Sequence, residues 1–210
     1  MAVQQERERI IADLHDDVGA TLSSMHIYGD LAREIWETKP KQSKDMVGKI
    51  TTQAKELMNR MGDIVWSLKP SGEEKNTLSG RLKNYSNELL ASQNIECTFS
   101  IDENADKYII NPVARKNILL IAKEAMNNSA KYSEASHVSV SLKQVNDNVL
   151  LEIKDNGVGF ANDMLKSGNG LQNIEQRCAV LNGRCRIDTS PGSGTCITCS
   201  FPIAIISHAG

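Results

Sequence analysis

From Ile11 to Leu68 apolar residues return at alternating steps of three and four, and the pattern is interrupted only around Pro40. A repeat of this kind admits paired helices and little else. The first series is Ile11, Leu14, Val18, Thr21 as a polar break, Met25, Tyr28, Ala32 and Ile35. The second is Val47, Ile50, Ala54, Leu57, Met61, Ile64 and Leu68. The spacing predicts one helix over roughly Val3 to Thr38, ending before Pro40, and another from about Gln42 to Leu68. Two heptad helices with a short connection make an antiparallel hairpin. One hairpin leaves half of its apolar surface wet. The economical remedy is a second copy, giving a dimeric four-helix bundle; the other is packing against the chain's own C-terminal half.

The pattern changes at Pro70. Ser71-Gly72-Glu73-Glu74-Lys75-Asn76 reads as a polar linker, and beyond it lie eight strand or helix signals in a mixed order. Leu78, Leu82, Tyr85 and Leu89 mark a helix face. Ile95 to Phe99 reads as a strand. Asn111-Pro112 opens a helix to about Lys131, with Asn as the cap and Pro at the first helical position, where its missing N–H is not needed. Val138, Val140 and Leu142 alternate, as do Val149, Leu151 and Ile153 after the turn residues Asn146-Asp147-Asn148. A helix near Leu171 to Leu181 stops at Asn182-Gly183, and two last strands flank Ser190-Pro191-Gly192-Ser193-Gly194. The expectation is an α+β sandwich, with helices on one face of a mixed sheet, following an N-terminal helical hairpin.

Composition narrows the function. A net charge of −2 implies no general affinity for nucleic acid. No apolar run approaches the ~18 residues of a membrane span, and Gln4-Gln5-Glu6-Arg7-Glu8-Arg9 does not read as a signal peptide. Five cysteines in no framework spacing suit a reducing compartment. Cys196 and Cys199 would fall on opposite faces of a strand, which makes them small buried hydrophobes and not half of a zinc site.

Four groups of residues could carry chemistry. His15 sits beside the seam with Asp13, Asp16 and Asp17 around it; a neighbouring carboxylate fixes the imidazole tautomer and makes Nε2 the nucleophile, although a solvated surface His has the same surroundings. Glu124, Asn128 and Lys131, at spacings of four and three, share one helix face and offer metal-binding oxygens and a phosphate-pairing cation, or simply a polar face. Asp155-Asn156-Gly157-Val158-Gly159 ends a strand with a carboxylate able to accept from an exocyclic amine, or is a plain turn. Gly168-Asn169-Gly170-Leu171 enters a helix, where free N–H groups suit phosphate.

Taken in order, these segments resemble a bacterial sensor histidine kinase core over about residues 3–202. Arg7 to Gly19 resembles the H box of the nitrate-sensor and desaturase-thermosensor subfamily, and Glu124 to Lys131 resembles the N box. Asp155 to Gly159 and Gly168 to Ile174 with Arg177 resemble the two glycine boxes, and Ser190 to Thr195 resembles the closing turn. The resemblance implies a GHKL (Bergerat-type) ATP-binding fold. It divides the chain into a dimerisation and phosphotransfer hairpin (1–70), a linker (71–77), an ATP-binding domain (78–206) and a tail (207–210). It implies ATP and Mg²⁺, with His15 as phosphoacceptor and Asp16 orienting it. Asn128 would bind Mg²⁺, Glu124 would hold a water or assist transfer, and Lys131 would touch phosphate. Asp155 would read the adenine amine, and Gly157, Gly159, Gly168, Gly170 and Leu171 would shape the pocket and its lid (about Phe160 to Asn169), with Thr195 at the adenine end. The implied partners are a second copy of the chain and the receiver domain of a response regulator, with no direct nucleic-acid partner. The implied setting is the cytoplasm, with any membrane anchor in a further N-terminal part of a longer receptor. Two departures stand out: Tyr132 where many relatives have His, and Ala20 where the subfamily's phosphatase motif has Gln. A GHKL-fold ATPase, a protein serine kinase and a non-catalytic dimeric scaffold are the competing readings.

Overall fold

The computed structural model describes residues 2–68, 77–161 and 169–207, without the side chains of 2–17 and 169. The chain forms two compact units, Met1–Leu68 and Lys69–Gly210. The expected linker 71–76 and most of the expected lid lie outside the described residues.

The first unit is the expected hairpin, α1 (Ala2–Glu34) and α2 (Pro40–Leu68). Two boundaries differ from the sequence reading. α1 ends at Glu34 and residues 35–38 form a turn, so the helix stops four residues before Thr38. Pro40 starts α2 and does not precede it, because the fixed proline φ suits a first helical position. In the described part of α1 the seam is as expected, with Val18, Thr21, Met25, Tyr28, Ala32 and Ile35 half-buried or buried, and Ile11 and Leu14 lie outside the described side chains. On α2 the seam runs through Ser43, Met46, Ile50, Gln53, Ala54, Leu57 and Ile64. Polar contacts account for its two polar members: the Ser43 hydroxyl donates to the Ala32 carbonyl at 2.8 Å, and the Gln53 amide donates to the Ser24 hydroxyl at 3.4 Å. Val47 and Met61, expected on the seam, remain exposed, as do Met58 and Val65. Separated by eleven, three and four residues, these four line one strip of α2.

The second unit runs α3 (Leu78–Leu90), β1 (Glu96–Ile101), α4 (Glu103–Lys107), α5 (Pro112–Tyr132), β2 (His137–Val145), β3 (Asn148–Asp155), α6 (Asn169–Val180), β4 (Arg184–Thr189), β5 (Thr195–Pro202) and α7 (Ile203–Ile206). The strand order is β1-β2-β3-β5-β4. β1 and β2 are parallel and the other pairs antiparallel, so the sheet is mixed, as expected. One face is dry: Val138, Val140, Leu142, Val149, Leu151, Ile153, Ile197, Cys199 and Phe201 are buried, and α5 supplies Ile118, Leu119, Ile121 and Ala122 to the same core. Cys199 faces this core, while Cys196 lies half-exposed on the other face, so alternation holds but Cys196 is not a core residue.

The expected punctuation is present. Asn111 Oδ1 accepts from the N–H groups of Val113 (2.8 Å) and Ala114 (3.3 Å), with Pro112 opening α5. Asn146 and Asn182 take left-handed φ values of 53° and 49° at their turns. α4 and α7 were not foreseen, because five and four residues are too few to show a period. α7 anchors the start of α5: the N–H groups of Ile110 and Asn111 both donate to the Ile206 carbonyl.

Candidate functional site

The central strand, β3, ends on Asp155, which is only 5% exposed. Three donors converge on its carboxylate. Oδ1 accepts from the N–H groups of Gly157 (3.0 Å) and Thr195 (3.2 Å), and Oδ2 accepts from the Ser129 hydroxyl (2.9 Å). A carboxylate can accept about four hydrogen bonds, so Oδ2 retains capacity for one further donor. Asn156, next along, is a structural residue: its Oδ1 accepts from the N–H groups of Ser136 and His137, both at 3.0 Å, and joins β3 to the start of β2.

The glycines have reasons that involve no ligand. The Val158 N–H donates to the Ser133 carbonyl at 2.7 Å, and a Cβ on Gly157 would overlap that same carbonyl. Gly159 has φ +58°, and its Cβ would run into the Ser190 carbonyl. Thr189 locks the turn that follows. Its hydroxyl accepts from the Phe160 N–H (3.1 Å), donates to the Gly194 carbonyl (3.1 Å), and lies 3.3 Å from the Thr195 hydroxyl. The closing turn, the first glycine segment and Asp155 are therefore one hydrogen-bonded body.

On α5, Glu124 and Asn128 are one turn apart and half-buried, while Lys131 is exposed in the last turn. The first turn of α6 abuts them. A Cβ on Gly170 would overlap Glu124 Oε1 and come within 3.4 Å of Asn128 Nδ2. Glycine lets the helix N-terminus approach without displacing the Glu124 carboxylate, and a helix N-terminus carries N–H groups with no intrahelical acceptor and the positive end of the helix dipole. Among the described residues no hydrogen bond engages the side chain of Glu124 or Asn128. One carboxylate and one amide oxygen held in this cradle are the hard donors that Mg²⁺ takes, so the residues fit that ion. Farther along, Arg177 of α6 donates to the buried Asn117 Oδ1 at 3.5 Å, tying α6 to α5.

The structure thus gathers Asp155, Gly157, Gly159 and Thr195 at one strand end, and Glu124, Asn128 and Gly170 at one helix contact, with Leu171 half-buried next to Gly170. Ser129 belongs to the first group and Asn128 to the second, and they are neighbours on α5. Gly168 lies outside the described residues. His15 and Asp16 lie on α1, and their side chains are outside the described residues. Tyr132 is 71% exposed. Sequence reasoning missed Ser129, Ser133 and Thr189 as site residues. The one signal for Ser129 was a hydroxyl on the mostly aliphatic buried face of α5.

Residues 6–73 match the family described as histidine kinase, and residues 114–205 match the histidine kinase-, DNA gyrase B- and HSP90-like ATPases. The chain is 27% identical over 203 residues to the sensor histidine kinase YvfT of Bacillus subtilis, covering 97% of this chain and 52% of the relative. It is 30% identical over 200 residues to the sensor histidine kinase DesK of the same organism, covering 94% and 51%. The chain therefore spans about half the length of these relatives. The histidine kinase domain of the blue-light activated histidine kinase of Erythrobacter litoralis EL346 shares the fold at TM-score 0.58 and 15% identity, covering 89% of this chain and 95% of that one. Among the described residues no helix is long and apolar enough to cross a membrane.

Proposed function

As the chain belongs to the sensor histidine kinases, we propose that it transfers the γ-phosphoryl group of ATP to His15 and then to an aspartate of a response-regulator receiver domain. The observation that carries this reading is the pairing of a buried, triply hydrogen-bonded Asp155 with the Glu124–Asn128–Gly170 cradle, both anchored on α5. Asp155 Oδ2 has acceptor capacity for the exocyclic amine of adenine. Thr195 and Ser129 hold that carboxylate in place. Gly170 brings the N–H groups of α6 to where a phosphate chain is stabilised. Lys131, exposed at the end of the helix, supplies a mobile cation to phosphate. Asn128, with Glu124 beside it, would hold Mg²⁺, which would supply neutralisation of phosphate charge.

In the transfer His15 Nε2 forms the new N–P bond, the bond from the γ-phosphorus to its bridging oxygen breaks, and ADP leaves. Asp16 orients the ring by accepting its Nδ1 proton. Little else is required, because phosphoryl transfer depends on positioning and electrostatics. The hairpin 1–70 is the phosphotransfer and dimerisation domain, 78–206 is the ATP-binding domain and 71–77 joins them. The exposed strip Val47, Met58, Met61 and Val65 supports a second copy of the hairpin as its cover. Use of ATP and five free thiols both suit the cytoplasm.

Incubation with Mg·ATP labelled at the γ position tests the reading. The expected result is an acid-labile phosphoprotein, absent in His15→Gln, which still binds nucleotide. Label that persists in His15→Gln, or that withstands acid, rejects it in favour of a serine kinase.

A further inference from the structure

Three of the five cysteines gather where α6 passes over β4 and β5. Cys185 and Cys199 are directly opposite each other on these antiparallel strands, with their Sγ atoms 3.6 Å apart. Cys199 is buried, and Cys185 lies half-exposed on the edge strand. Cys178, on α6, is buried, and its thiol helps to push the Cys199 pKa up. Among the described residues no group of three or more His, Cys, Asp or Glu side chains is placed to hold a metal ion. Two thiols in contact, one reachable and one shielded, favour oxidation chemistry.

We propose that Cys185 and Cys199 form a reversible modification site, in which a peroxide oxidises Cys185 and Cys199 closes an intrachain disulfide. Directly paired residues of antiparallel strands have Cα atoms about 4.5–5.5 Å apart, inside the ~4.4–6.8 Å span of natural disulfides. Side-chain rotation therefore brings the sulfurs from 3.6 Å to bonding distance, about 2.05 Å, while the strands stay paired. The two thiols are also unequal. The Cys199 S–H donates to Cys185 and pulls its pKa down, against the opposing effects of burial and the Glu175 carboxylate. Cys199 is pushed strongly up by its contacts with Cys178 and Cys185 and by burial. Cys185 is thus the nucleophile and Cys199 the proton-bearing resolving thiol.

The chemistry balances in two steps. The Cys185 thiolate attacks one peroxide oxygen; the O–O bond breaks and, with one proton, a sulfenic acid and water form. Cys199 then attacks the sulfenic sulfur, losing its proton, and a second water leaves as the disulfide forms. The two thiols together give up two electrons. A dithiol reductant reverses the bond by exchange at the accessible Cys185 sulfur.

The consequence for nucleotide rests on the reading above. Closing the bond turns the Cys199 sulfur away from Cys178 and removes a contact beneath α6, whose first turn meets Glu124 and Asn128. Oxidation is expected to weaken nucleotide binding roughly fivefold, a typical coupling between two sites.

The whole chain is treated with a small excess of hydrogen peroxide, alkylated, digested without reductant and mapped by mass spectrometry. The expected product is a peptide pair linked through Cys185 and Cys199, lost with dithiothreitol, absent in Cys185→Ser and Cys199→Ser and retained in Cys196→Ser. Linkage only through Cys196 between chains, or sulfonic acid at Cys185 without a linked pair, overturns the proposal. The wild-type map decides this even if a variant fails to fold. Titration with a fluorescent ATP analogue before and after oxidation reads the consequence. A linked pair with unchanged affinity overturns the regulatory half, whereas no binding by the reduced chain counts against the nucleotide reading and leaves the disulfide to the map.

Discussion

The two units carry their information differently. In the hairpin, burial repeats along the described part of each helix, and the proposed phosphoacceptor, His15, is read from its own stretch of sequence. In the α/β unit the site is made by contacts between segments far apart in the chain. Ser129 reaches Asp155 across 26 residues and Thr195 reaches it across 40. Gly170 meets Glu124 across the segment that separates α5 from α6. A local change in the hairpin should therefore have a local effect, whereas a change at the strand end of the α/β unit should disturb fold and site together.

The largest effect is expected at Asp155. Asp155→Ala leaves the N–H groups of Gly157 and Thr195 without their acceptor, while the Ser129 hydroxyl keeps the Ala125 carbonyl at 3.3 Å. At about 1–3 kcal/mol for each orphaned donor, the unit loses on the order of 2 kcal/mol or more and nucleotide binding with it. Thermal unfolding and analogue titration read both. Normal stability with lost binding would show that the carboxylate serves the ligand alone, and the contrast between the units would weaken. Gly159→Ala comes next. A left-handed φ for an L-residue costs about 1–2 kcal/mol, and the overlap with the Ser190 carbonyl adds to it. Gly170→Ala separates site from fold, because the group it meets is the movable end of Glu124. It should lower nucleotide affinity roughly tenfold, about 1.4 kcal/mol, with little change in unfolding temperature.

The same contrast explains what was legible. Alternation in β2, β3 and β5, the Asn111-Pro112 start and the Asn146 and Asn182 turns are local signals, and each appears in the fold. Asp155, Glu124 and Asn128 are candidates named from residue type and spacing together with the family resemblance. Ser129 and Thr189 were missed because a serine or threonine is ordinary until its partner arrives from another segment. On α2 the period was read correctly but its phase was slightly off. Val47 and Met61 lie off the seam while Ser43 and Gln53 occupy it, and hydrogen bonds to α1 are what hold these polar residues there.

That displaced phase sharpens the comparison on the hairpin side. If the exposed strip is covered by a second copy, Met58→Lys with Val65→Lys should convert dimer to monomer, as measured by light scattering across a concentration series. Both side chains are exposed within one chain, so the α/β unit should unfold unchanged and bind nucleotide as before. A dimer that persists in the double variant would leave the strip without its proposed partner.

The smallest effect is expected at Glu134, where α5 gives way to β2. Its φ is +53°, and it is neither glycine nor asparagine, unlike the residues at the other left-handed positions. Glu134→Gly removes a steric cost of about 1–2 kcal/mol but adds unfolded-chain entropy of roughly 0.5–1 kcal/mol. The net expectation is a gain of about 0.5 kcal/mol, or roughly 2 °C in a unit of this size. Ser133, immediately before it, holds its own place through its hydroxyl, which donates to the Ser129 carbonyl and accepts from the Ala135 N–H. Nucleotide affinity should therefore not move. A loss of stability in Glu134→Gly would mean that the glutamate side chain supports the strand end. The coupling of fold and site would then extend one residue beyond the hydrogen-bonded body around Asp155.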